Sequence, residues 1–164
     1  MKKNFSSQKN KGFSLLEIVI ASAILLLVTV TVFSSFATAL SVSSKNTASL
    51  QAAFLLEEGH EALRNMRDWG YSTYIGSLSN NTPYRLAWES NHWMATTSTA
   101  LIDGKFDRTF TLNTVNRDAS HNIVASGGSV DANSKKVTVS VSWRSGNSTT
   151  TRTMESYVSN IFSN

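Results

Sequence analysis

Apolar residues run along this chain in three rhythms, and each predicts a different element. Over residues 18–36 Ile, Leu, Val, Ala and Phe dominate almost without interruption, and no charged residue occurs in 18–44. A helix of about 20 residues crosses a hydrocarbon layer of roughly 30 Å, so this stretch is long enough to span a membrane once. Val28, Thr29, Val30, Thr31, Val32 and Phe33 are β-branched or aromatic, which lowers helix propensity in water. In lipid the backbone has no water to bond, so helix prevails, and Thr29 and Thr31 can return their hydroxyls to carbonyls one turn back. No proline interrupts the stretch, so no sharp kink is predicted.

Over residues 48–67 the period changes to three and four. Leu56, Gly59, Leu63, Met66 and Gly70 form a stripe widened by Ala52, Leu55 and Ala62, while Glu57, Glu58, Glu61, Arg64 and Arg67 lie mostly off it. That is an amphipathic helix with one face to bury. Glu57 with Arg64, Glu61 with Arg64, and Arg64 with Asp68 are neighbours at one- or two-turn spacing. A helix continuous over residues 13–68 would be a rod on the order of 80 Å, whose second half needs a partner.

The third rhythm supplies it. Residues 136–143 alternate strictly, with Val137, Val139, Val141 and Trp143 on one face and Thr138, Ser140 and Ser142 on the other, as a half-buried antiparallel strand does. Arg144, Ser145, Gly146 and Asn147 read as a turn, and 149–158 as the returning strand of a hairpin. Residues 106–115 are a third strand and 84–88 a weaker fourth. Gly70, Gly76 and the cluster Asn80, Asn81, Thr82, Pro83 break the helix; Asp103 with Gly104 marks a turn, and Gly127 with Gly128 a loop. The expected fold is therefore α+β: a long N-terminal spine helix packed on a small antiparallel β-sheet headgroup. Its segments are a leader (1–12), a transmembrane half-helix (13–44), an amphipathic half-helix (45–68) and the headgroup (69–164).

Charge changes this picture only at the N-terminus. Of fifteen Lys/Arg, four (Lys2, Lys3, Lys9 and Lys11) fall in the first twelve residues, leaving eleven against eleven Asp/Glu. The remainder is neutral and carries no basic stripe with interleaved aromatics, so a nucleic-acid partner is not expected from charge. The basic leader holds Met1 in the cytoplasm and sends the C-terminal zone across. With no cysteine, disulfides and thiolate metal sites are excluded.

The sequence Lys11-Gly12-Phe13-Ser14-Leu15-Leu16-Glu17, followed by the apolar run, resembles the signal of type IV pilins and type II secretion pseudopilins. The resemblance covers about residues 11–40. It implies cleavage between Gly12 and Phe13 by a membrane prepilin peptidase, N-methylation of the exposed Phe13 amine, and an assembly role for Glu17, whose carboxylate would pair with a neighbouring subunit's amine and set register. It further implies the ladle fold; the residues themselves show no catalytic constellation, so no enzymatic activity is expected, and no cofactor or metal is expected either. The partners would be prepilin peptidase, other pilin subunits, the pilus or secretion assembly platform and the membrane, with nucleic acid only in the alternative of a DNA-receptor subunit at a filament tip. The chain would be a single-pass inner-membrane protein before assembly and part of an extracellular pilus or periplasmic pseudopilus afterwards. The stretch over residues 55–69 with a closing strand hairpin is similar to minor pilins of the pilus-modification kind, and the missing helix prolines and C-terminal cysteine pair lean toward a minor pilin or, as the alternative, a pseudopilin.

Glu17 also stands out on physical grounds, because an ionised carboxylate in hydrocarbon demands a partner; the bland alternative is that it snorkels to the interface. An ordinary secretory signal shares the basic start and apolar run. Against it stand Glu17 itself and the position of the nearest small-x-small site, Ala37-Thr38-Ala39, after a run long for such a signal. An unprocessed single-pass anchor carrying a binding domain is the remaining rival.

Elsewhere the candidates are sparse. His60 sits beside Glu57 and Glu61 but lacks the second histidine of a zinc helix and reads as part of a solvated charged face. Asp103, Asp107, Asp118 and Asp131 lie among turn residues, without the compact oxygen cluster that calcium requires. Trp88 and Trp93, near Tyr84 and His92, are either rim packing or an aromatic binding surface for glycans or partner subunits.

Overall fold

A computed structural model describes Gly12 and residues 14–161. Helix α1 runs Leu15–Tyr71, followed by one π-helical turn at Ser72–Gly76. Six strands follow: β1 (Arg85–Glu89), β2 (His92–Thr96), β3 (Phe106–Arg117), β4 (Ile123–Val124), β5 (Ser129–Ser145) and β6 (Ser148–Ser159). The architecture is α+β, with an N-terminal helix packed against antiparallel sheet. The chain divides into two units, Met1–Ser44 and Lys45–Asn164.

In the first unit the helix is exposed on every side, including Leu25, Leu27, Phe33 and Phe36. Thr29 Oγ1 donates to the Leu25 carbonyl at 2.7 Å and Thr31 Oγ1 to that of Val28 at 2.8 Å. The hydroxyls thus satisfy themselves on their own backbone, as expected for a segment passing through lipid.

In the second unit the predicted stripe is the buried face. Ala52, Leu56, Gly59, Ala62, Leu63 and Met66 are buried, while Leu55 and Gly70 are half-buried. They meet Val137, Val139, Val141 and Trp143 of β5, together with Phe106, Phe110 and Leu112 of β3. Full burial of side chains such as Leu63, Met66 and Val139 contributes roughly 1.5–3 kcal/mol each before entropy is counted. The helix continues past the expected end near Asp68. Its backbone leaves helical geometry at Gly70, yet Tyr71 and Ile75 beyond it are buried core residues, and packing carries the coil onward.

One sheet has the order β4-β3-β5-β6, all antiparallel, and β1 pairs with β2 in a separate hairpin. Both central strands outrun their expected ends. Strand β5 starts at Ser129 rather than 136 because a bulge shifts the register: Thr114 pairs with Lys135, but Val115 with Asp131. The Arg117–Asp131 ion pair, 2.7 Å, and a 3.4 Å hydrogen bond from the Tyr71 hydroxyl to the Ala132 carbonyl hold that bulge. Strands β2 and β4 have no counterpart in the expected elements. The β1–β2 turn places Ser90 and Asn91 at φ 49° and 66°, the conformation of a two-residue hairpin loop usually signalled by Asn-Gly. Arg85 joins this hairpin to β3 through a bidentate pair with Asp107, at 2.7 and 2.9 Å.

Candidate functional site

The start of α1 is built from its first carbonyl. Ser14 O accepts from the Glu17 and Ile18 amides at 2.9 and 3.2 Å, closing the first turn. Gly12 is exposed and outside the helix. Phe13 and the leader residues 1–11 lie outside the described residues, so the Gly12–Phe13 bond and the amine it would release are not placed.

Glu17 is exposed in that first turn, where the unpaired amides of a helix N-terminus favour a negative charge. Ile18, Ala21, Ser22 and Leu25 surround it on the helix surface. Two of these are small, which leaves room for another backbone to come close, as small residues do at helix contacts inside membranes. Beyond Glu17 the helix has no charge through Ser44. The arrangement is an isolated carboxylate at one end of a bare apolar rod.

The other candidates disperse. Among the described residues no group of three or more His, Asp or Glu side chains could hold a metal. His60 corrects the expectation of a solvated face: it is only 7% exposed, and its Nδ1 lies 3.0 Å from Ser156 Oγ of β6. Burial, the largest cause, pushes its imidazole below the ordinary 6.5, with Arg64 acting the same way and a Met154 backbone hydrogen bond and Glu61 opposing. The helix stripe is broad enough to take in this position, a width its spacing alone does not reveal.

His92 is buried, its ring stacked on Trp69 at 4.7 Å and edge-on to Tyr74 at 5.1 Å. Asp118 accepts from the amides of Ser120 and Asn122 and so closes its own loop. Asp131 is held below the usual carboxylate range first by its hydrogen bond from Arg117. Both carboxylates are occupied in shaping backbone. Of the expected helix pairs Glu61–Arg64 forms, whereas Asp68 takes Arg67 instead of Arg64.

Arg108 was not singled out by the sequence. It points to the buried face of β3, 6% exposed, donates to the Leu55 carbonyl at 3.3 Å, pairs with Glu58 at 3.0 Å and lies 5.7 Å from the Trp93 ring centre. A positive charge alternating in phase with Phe106, Phe110 and Leu112 was the available signal.

Compared with known proteins, residues 7–33 match the family described as the prokaryotic N-terminal methylation motif, a stretch that includes Gly12, Phe13 and Glu17. No curated protein and no solved structure matches the chain.

Proposed function

We propose that the chain is a structural, non-enzymatic subunit of a type IV pilus or a related filament, of the minor kind. It is cut between Gly12 and Phe13 by a prepilin peptidase, methylated at Phe13 and polymerised through its N-terminal helix. The observation that carries this is the helix that begins within the methylation motif and continues beyond it: apolar on all sides as far as Ser44, covered by nothing in its own unit, and marked by Glu17 alone. A helix apolar all round must be surrounded by lipid or by other helices, and a subunit that leaves the membrane to join a filament exchanges one for the other. Glu17 would then pair with the Phe13 amine of a neighbouring subunit, because an uncompensated carboxylate is costly in either setting. The segments proposed are 1–12 as leader, 13–44 as membrane and filament-core helix, 45–68 as its amphipathic continuation and 69–164 as headgroup. The lack of cysteine and of proline within α1 fits a minor pilin and equally the alternative, a type II secretion pseudopilin.

The test is intact mass and N-terminal sequencing after co-expression with a prepilin peptidase, for the native chain and for Glu17→Ala. The expected result is an N-methylated Phe13 terminus in both, with Glu17→Ala remaining in membranes instead of sheared filaments. A chain that still begins at Met1, or is cut near Ala39, would overturn the reading.

A further inference from the structure

The second unit holds a groove away from Glu17 and the apolar half of α1. It lies between residues 58–68 of α1 and Trp93 of β2, with a volume of about 440 Å³, inside the roughly 300–1,000 Å³ range of small-molecule sites. We propose that it binds a neutral saccharide.

The charges on the groove argue for neutrality. Glu61 is paired with Arg64, Asp68 with Arg67, and Glu58 with Arg108. The acids and bases balance, and each is already satisfied in charge. An anionic or cationic ligand would meet a partner of each sign and gain no net attraction there. A hydroxylated neutral ligand needs no net field, since a paired carboxylate keeps free lone pairs and a paired guanidinium keeps free N–H groups for its hydroxyls. The groove therefore presents donors and acceptors with no net field. Asn65, on the same wall, has a side-chain oxygen with no partner among the described residues, so turning its amide outward would add an acceptor for a ligand hydroxyl.

The aromatic groups supply the complementary half. A pyranose has an apolar face of C–H groups that packs on a flat ring, and Trp93 offers one whose position is set before any ligand arrives. The Trp88 ring meets it edge-on at 5.4 Å and 77°, and the Arg108 guanidinium lies over it. Side chains already ordered lose little entropy on binding. Trp88 itself is 56% exposed beside this ring, and Trp69, stacked on the adjacent His92, is 54% exposed. A protein partner fits the groove less well, because interface cores are depleted in charged residues and five of the eight lining residues here are charged.

An open groove of this kind should bind weakly, with a dissociation constant on the order of 1 mM. The experiment uses the full chain in phosphocholine micelles, which carry no sugar headgroup. It records saturation-transfer difference spectra, and shifts of the tryptophan indole N–H signals, against cellotriose, maltotriose, mannotriose and triacetylchitotriose, with sialyllactose as the anionic comparison. At least one neutral trisaccharide should take up saturation and move the Trp88 and Trp93 signals. Trp88→Ala and, separately, Glu61→Gln should each weaken that binding about three- to tenfold; both positions are exposed, and unchanged melting curves would verify the fold. If Trp88→Ala unfolds, Glu61→Gln decides. The proposal is overturned by silence of every neutral sugar, by binding of sialyllactose alone, or by undiminished affinity in the folded variants. Because the readout lies in the headgroup, it is independent of whether the leader is cleaved.

Discussion

Gly59 sets how closely α1 approaches the sheet, and alanine at that position tests the distance. In an exposed helix interior glycine to alanine stabilises by roughly 1 kcal/mol, because the unfolded chain loses freedom. Here a Cβ would stand 2.9 Å from Val139 Cγ1 and 3.4 Å from Arg108 Cδ, against a comfortable carbon separation of about 3.5–4.0 Å. Val139 cannot easily yield: it is fully buried, its β-branch is stiff, and its strand is bonded on both edges. Either the helix lifts or Val139 leaves its rotamer, and overpacking of this size costs typically 1–3 kcal/mol. The net expectation is a loss of roughly 1 kcal/mol, opposite in sign to that of an exposed helix glycine. With a urea slope of about 1–3 kcal/mol/M, the midpoint falls by roughly 0.3–1 M. The assay is urea unfolding of the full chain in micelles, read by tryptophan fluorescence, for Gly59→Ala, Val139→Ala and the double variant. Removing the two Val139 methyls should turn alanine at position 59 from harmful to helpful, giving a clear coupling in the cycle. If Gly59→Ala stabilises the native background and shows no coupling to Val139, the close approach is refuted.

Two further predictions concern charge in the headgroup. Arg108→Ala should lower stability by roughly 2–3 kcal/mol, since it leaves Glu58 unpaired and uncovers Trp93, whereas Glu58→Gln, at a half-exposed position, should cost less than about 1 kcal/mol in the same urea assay. Because burial holds His60 below its ordinary 6.5, the unfolded chain binds that proton more readily, so stability is present above pH 6.5 and lost as pH falls below it. Melting curves between about pH 7.5 and 5 should show this decline, and it should be reduced in His60→Gln, where the carboxylate and guanidinium facing position 60, Glu61 and Arg64, remain.

The apolar helix over residues 15–44 was legible because its physics is local. An uninterrupted apolar run has one solution in lipid, a helix whose backbone bonds close within the segment, and Thr29 and Thr31 bond back as that solution requires. The stripe from Ala52 to Met66 and the alternation from Val137 to Trp143 were equally readable, since a buried face imposes its period on the sequence. Non-local decisions left no such trace. Strand β2 exists because a Ser90-Asn91 turn folds it onto β1, a pairing with no glycine to announce it. The start of β5 depends on a bulge opposite Thr114 and Val115, among polar residues without rhythm. His60 reads as a surface residue in sequence and is buried because Ser156, ninety-six positions away, reaches it across the helix–sheet contact. The groove beside Trp93 likewise joins helix residues 58–68 to a side chain more than twenty positions on. Periodicity determines which face of an element is buried; only packing in three dimensions decides what that face meets.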